Sequence, residues 1–251
     1  MSTTITNALP DIPRLCTGIC EWLACVVYLL VIYRRVPLRR TIAVGLIGLP
    51  AMIAIQYFDG VMPIWFWIIG MLLAFAGMWA IILFGAGTGK REGMYIAARA
   101  FVLAELVASL HWQLVMFLNL GENPERAQLF SLLLLVVTYA ACFTVAWLIE
   151  RGNFANDAPT VATAQLAIGT GAITIVTFAM SNLSFVSTNT PFSGTVGQEV
   201  FYIRTLVDFC GFAILHAQQE QARRMEASAE LASINAQLES QHQEYLASKE
   251  N

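Results

Sequence analysis

Val200-Phe-Tyr-Ile-Arg-Thr-Leu-Val-Asp-Phe-Cys-Gly-Phe-Ala-Ile-Leu215 runs directly into a polar segment rich in Ala, Gln and Glu that continues to Asn251. No Gly or Pro follows Gly211, so no helix breaker stands at this junction. The expectation is a single helix that leaves an apolar phase and continues into water, reaching on the order of 50 Å beyond Leu215 at 1.5 Å per residue. Its best apolar seam takes Leu231, Ile234 and Leu238 at 3,4 spacing, extended by Ala227 on one side and by Gln241 and Tyr245 on the other. Glu220 and Arg224 spoil the seam closer to the apolar half and suit a solvated i,i+4 pair instead. About three heptads of this quality predict a weak parallel homodimer whose register can shift. A solvated amphipathic helix is the simpler alternative.

Composition sets the class. Of 251 residues, 57% are hydrophobic and 12% charged, with a mean hydropathy of +0.64, whereas about a quarter of an ordinary soluble domain is charged. That excludes a soluble globule and predicts an all-α, polytopic membrane bundle. The net charge of -3 is less informative than where the charges fall, and no basic patch for nucleic acid is present. The five cysteines, Cys16, Cys20, Cys25, Cys142 and Cys210, lie in apolar segments without a CxxC or Cys/His cluster. They read as small buried residues, with no metal site and no cofactor expected. Met1 to Asp11 lacks the basic and apolar regions of a signal peptide, so no removal is expected.

Apolar runs long enough to cross about 30 Å of hydrocarbon occur from Leu15 to Tyr33, Thr41 to Phe58, Met62 to Phe84, Met94 to Leu118, Leu129 to Ile149 and Val161 to Leu183. A seventh, Val200 to Leu215, is shorter and carries Arg204 and Asp208. The resulting division is a seven-helix sensor domain over 1-215 and a signalling and dimerisation helix over 216-251. The first, third and fifth connectors hold seven Lys/Arg, whereas the N-terminus and the even-numbered connectors hold only Arg14 and Arg126. Positive charge marks the cytoplasmic side, which predicts the N-terminus outside and the long helix in the cytoplasm. Trp65 and Trp67 beside Pro63 suit an interfacial belt. Gly45, Gly48 and Pro50 suit a bend in the second span, and Gly169 and Gly171 a close approach in the sixth.

Ionisable groups inside such spans cost about 2.5 to 3.5 kcal/mol each at mid-membrane, so each needs a reason. Glu21 lies in the first span and Glu105 in the fourth, with Ser109 and Gln113 continuing the face of Glu105 at i+4 and i+8. These residues are candidates for a polar cavity open to the outside, or for interhelical hydrogen bonds. Arg204 and Asp208 are i,i+4 neighbours and are expected to neutralise each other. In a signalling version, that pair exchanges partners with Glu21 or Glu105 and shifts the output helix. Arg99 is expected to snorkel from near the end of its span without a partner. His111 reads as a packed polar residue, His216 as the cytoplasmic exit of the seventh span, and His242 as solvated. Gly85-Ala-Gly-Thr-Gly-Lys90 has Arg91 where a phosphate loop has Ser or Thr and no strand before it, so it reads as a basic loop. Lysine occurs only at positions 90 and 249, which excludes a retinal Schiff base in the seventh span. The connector from Phe185 to Glu199 is polar and uncharged up to Glu199, a surface loop or a lid.

The junction Glu199-Val-Phe-Tyr-Ile-Arg-Thr-Leu-Val-Asp-Phe-Cys-Gly-Phe-Ala-Ile-Leu-His216 and the ending Gln241-His-Gln-Glu-Tyr-Leu-Ala-Ser-Lys-Glu-Asn251 resemble bacterial sensor histidine kinases with a GHKL-type ATPase. The likeness covers the last fifty residues and, in general plan, the membrane part, which is similar to the layout of peptide-pheromone receptors. It implies a bacterial plasma-membrane homodimer in contact with lipid, an extracellular ligand that is a peptide or a small molecule, and a response regulator reached through a kinase core. In that family an acidic residue directly follows the phospho-acceptor histidine; Gln243 follows His242, so no catalytic role is carried over. The expectation is the sensor and signalling linker of a two-component kinase without its catalytic core, with Glu21, Glu105, Arg204 and Asp208 as sensing candidates. The alternative is a small transporter or permease subunit using Glu21 and Glu105, and a third reading is a membrane scaffold that recruits a cytoplasmic partner.

Overall fold

The computed structural model describes residues 13–32, 34–61, 67–118, 124–153, 164–187 and 198–250. Among them the chain is all-α: α1 (Arg14–Val31), α2 (Leu38–Val61), α3 (Trp67–Ala86), α4 (Lys90–Phe117), α5 (Pro124–Asn153), α6 (Ala164–Ser187) and α7 (Gln198–Glu250). Pro63, Trp65 and most of the connector from Phe185 to Glu199 lie outside the described residues, as does the side chain of Trp67.

Five helices, α1 to α5, contain segments long and apolar enough to cross a membrane. Among the described residues α6 contributes a shorter apolar stretch, Leu166–Met180, and Val200 to Leu215 at the start of α7 carries Arg204 and Asp208. Seven full spans were expected. On α6 and α7 polar residues face inward: Thr170, Thr174 and Thr177 on α6, and Arg204, Asp208 and Gln219 on α7, are all buried.

The bundle is built with carbon outward. Leu46, Ile47, Leu72, Leu73, Val137, Ile168, Ile175 and Leu206 are exposed, while Glu21, Gln56, Arg99, Glu105, Ser109, Glu150 and Asp208 are buried. An apolar exterior over a partly polar interior is the distribution expected when lipid is the solvent. α2 shows how the sequence encodes it. Its buried face is Thr41, Gly45, Gly48, Met52, Gln56 and Asp59, at spacings of three and four. The small and polar residues therefore face the bundle and the aliphatic ones face out. The helix continues through Pro50.

α4 is the central element, packed against α1, α3, α5, α6 and α7. Ala97, Ala98, Ala100, Ala104 and Ala108 let its neighbours approach closely, and all are buried. At Gly18 on α1, an added Cβ would stand 3.2 Å from the Ile53 Cα of α2, so any side chain there would push the two backbones apart by a few tenths of an ångström. α3 ends at Gly87, whose φ of 69° and N–H donating to the Leu83 carbonyl form a left-handed cap. Of the two glycines expected to allow close approach in α6, Gly169 is met by the Gln218 side chain of α7, whereas Gly171 is open.

α7 is one helix of 53 residues. It keeps contact with the bundle through Gln219, which is buried, and Ala222, which packs on the core. Arg223 donates to the Gly152 carbonyl of α5. The helix thus leaves the bundle about two turns beyond His216, the expected exit. From Arg224 to Leu246 every residue is exposed, an isolated rod of about 35 Å. Arg224 pairs with Glu220 at 3.0 Å, the solvated i,i+4 pair read from the sequence.

Candidate functional site

Polar contacts between α4 and α7 define the site. The two helices are antiparallel: the Tyr95 hydroxyl donates to the Gln219 side-chain carbonyl, and one turn along each helix the Arg99 Nη1 donates to the Leu215 carbonyl at 2.7 Å. Further along, Arg204 Nη2 meets Glu105 Oε2 at 2.6 Å, and the Ser109 hydroxyl donates to Asp208 Oδ2 at 2.9 Å. The α4 residues in these contacts, Tyr95, Arg99, Glu105 and Ser109, lie within one face of the helix about 120° wide. The last two contacts cross, since on these antiparallel helices the earlier α7 residue, Arg204, meets the earlier α4 residue, Glu105.

The sequence pairs Arg204 with Asp208 within α7; in the structure Arg204 also has a partner on α4. Arg204 forms its ion pair across the seam with Glu105, an exchange the sequence reading reserved for a signalling state. The reason is geometric. Both α7 charges face α4 on one stripe, which brings the Glu105 carboxylate within reach of the guanidinium.

Arg99 also departs from expectation. The sequence predicts snorkelling without a partner, but Arg99 is 1% exposed and is the largest fully buried side chain among the described residues. α4 begins at Lys90, so Arg99 lies about 13 Å inside the helix rather than near its end. Its planar fork joins three helices. Nη2 pairs with Glu150 of α5 at 2.6 Å, and Nη1 serves the Leu215 carbonyl of α7 and, at 3.4 Å, the Tyr95 hydroxyl of α4. A guanidinium suits this place because its donors are fixed in one plane, whereas an ammonium presents a point charge.

Glu21 belongs to a second cluster between α1 and α2. It accepts a hydrogen bond from the Gln56 amide at 2.8 Å and is 1% exposed. Nearby, Arg14 pairs with the buried Asp59 at 3.3 Å. The structure therefore does not join Glu21 and Glu105 in a cavity open to the outside; each is buried against a partner on another helix. Of the four sensing candidates, Glu105 and Arg204 pair, Asp208 accepts from Ser109 along the same seam, and Glu21 accepts from Gln56 of α2.

Sequence reasoning missed Glu150, Tyr95, Gln219, Gln56 and Asp59. Depth was the signal that pointed to Glu150. α4 and α5 are consecutive and antiparallel, so a basic residue about two turns inside the start of one is level with an acidic residue near the end of the other. Spacing was the signal for Gln56 and Asp59, which share a face of α2.

His111 is packed edge-on against Tyr139, with ring centroids 5.5 Å apart, as a buried polar residue. The Gly85 to Lys90 loop places the Glu92 carboxylate on the Gly89 N–H at 3.3 Å, filling the α4 N-terminus with an anion of the chain's own, and Arg35 pairs with Glu92 at 3.4 Å. No cluster of three or more metal-ligating side chains occurs among the described residues. Leu231, Ile234, Leu238 and Tyr245 lie exposed on the rod with Ala227 and Gln241.

No protein-family model, curated protein or solved structure matches this chain.

Proposed function

We propose that this chain is the input module of a membrane sensor histidine kinase, in which α7 carries a signal from the bundle to a dimeric cytoplasmic helix. One observation supports this reading above the others. A single helix is gripped inside the bundle by charged groups over its first half and stands free over its second. Rotation or sliding of the gripped half displaces the rod as a unit, because nothing in the helix absorbs the motion. The α4–α7 contacts are the coupling element: an external peptide or small molecule that changes the Glu105–Arg204 geometry changes the position of α7. The last residues supply the dimer seam, and a kinase core joined beyond it would read the motion.

The test has two parts. A reporter fused at residue 251 is expected on the cytoplasmic side, with reporters in the Arg34 to Arg40 and Gly85 to Gly93 connectors on the same side. With a histidine-kinase core fused after Asn251, Glu105→Gln is expected to change autophosphorylation several-fold in folded protein. An external location for residue 251, or a kinase output indifferent to Glu105 and Arg204, overturns the proposal. Transport through Glu21 and Glu105 has less support, since both carboxylates are engaged across helices. Proteoliposome uptake that disappears in Glu105→Gln would favour it.

A further inference from the structure

We propose that the groove between α1 and α5 seats an anionic phospholipid, with one acyl chain lying along α1 and the phosphate held at Arg151. The inference rests on insertion of the bundle in a membrane and is independent of what the α7 rod drives.

α1 and α5 run parallel, the Tyr139 hydroxyl of α5 donating to the Cys16 carbonyl of α1 at 3.1 Å. Between them lies a groove of about 540 Å³, lined from Ile19 and Leu23 past Tyr139 and Phe143 to Leu30 and Trp147. Its walls are almost entirely carbon, and the Tyr139 hydroxyl is occupied by Cys16. Water entering it finds few polar partners, whereas each buried methylene of a chain contributes about 0.8 kcal/mol. From Ile19 to Leu30 the groove extends about 16 Å along the helix, enough for a large part of an acyl chain.

Charge identifies the head group. Trp147 lines one end of the groove, and Arg151, one turn further, stacks its guanidinium 4.9 Å from the Trp147 ring centroid while remaining exposed. A second hollow of about 230 Å³ on the other flank of α1 shares Val26 and Leu30 with the first and reaches Arg34. Because α1 and α5 are parallel, Arg34 and Arg151 stand at the same end of the bundle. Among the described residues, neither has a carboxylate within ion-pairing distance, in contrast to Arg35, which is engaged with Glu92. An apolar trough ending in a guanidinium with no carboxylate partner among the described residues matches a chain ending in a phosphate, and basic pockets at the ends of membrane helices attract anionic head groups in this way. A zwitterionic lipid offers the same tail without the net charge.

The full chain in a neutral detergent is titrated with phosphatidylglycerol or phosphatidylcholine brominated near the head-group end of the acyl chains. The Trp147 signal is read as the difference between the native chain and Trp147→Phe. Phosphatidylglycerol is expected to quench at a concentration about fivefold lower, the factor attached to one basic contact. Arg151→Gln is expected to remove that preference, and Ala140→Phe, which fills the groove, to weaken quenching by both lipids. Raising the salt on the native chain is expected to erase the preference without any substitution. Equal quenching by the two lipids, a preference that survives Arg151→Gln, or one insensitive to salt overturns the proposal. A brominated fatty acid that quenches as well as phosphatidylglycerol would replace the phospholipid with a free acid and overturn it equally.

Discussion

Arg204 and Glu105 are worth more to each other than either is alone. In a low-dielectric bundle, removing one partner of a buried ion pair leaves a charge without compensation and costs about 3–5 kcal/mol, while removing both costs far less. Arg204→Met and Glu105→Gln are each expected to lower the midpoint of thermal unfolding in detergent. The double variant should be less destabilised than the two effects combined, with a coupling of about 1–3 kcal/mol. Additive effects would show that the 2.6 Å contact contributes little. Arg99 allows a sharper comparison, because its contacts require a fork rather than a charge. Arg99→Gln strands Glu150 and releases the Leu215 carbonyl, with an expected loss of about 3–5 kcal/mol. Arg99→Lys keeps the charge but reaches fewer acceptors, and should unfold between the two. If Arg99→Gln unfolds with the native chain, the three-helix junction is not a structural anchor. These residues were legible in the sequence to different degrees. The expense of a charge in an apolar span picked out Glu105, Arg204 and Asp208 without structural information. Their partners depend on how two helices are rotated and slid against each other, which periodicity within either helix does not record.

At the scale of the helix, α7 was the most legible element, because an unbroken run of helix formers needs no tertiary information. Its seam is a different matter: Leu231, Ile234 and Leu238 share one side of the rod, and whether a second chain covers them depends on a partner rather than on local structure. Single cysteines at 231, 234 and 238, in a chain whose five native cysteines are replaced, should form symmetric disulfides on mild oxidation. Cysteines at Ser233 and Ala236, on the opposite side of the helix, should not. Equal crosslinking at all five positions would describe a solvated rod that collides without a preferred face. α2 illustrates the opposite case of legibility. Its aliphatic residues cover most of the circumference outside one stripe, and the informative pattern was that small and polar stripe from Thr41 to Asp59, which identifies the inner face only when lipid rather than water is the outer phase.

The whole molecule joins a gripped segment to a free one without a hinge, so the angular phase between them is fixed by residue count alone. From the Arg204–Glu105 contact to Leu231, the backbone is continuous helix, and each added residue turns everything distal by about 100°. Inserting one alanine between Met225 and Glu226 should swing the Leu231, Ile234 and Leu238 face away from its bundle-defined direction. Seven alanines should return it to within about 20°. With a kinase core fused after Asn251, the one-residue insertion is expected to change output, either locking or silencing it, and the seven-residue insertion to restore native behaviour. Autophosphorylation measured across insertions of one to seven residues should therefore follow the helical period. A smooth decline with length would indicate that α7 acts only as a tether. In that case the grip of Arg99, Glu105 and Ser109 on α7 stabilises the bundle without informing the rod.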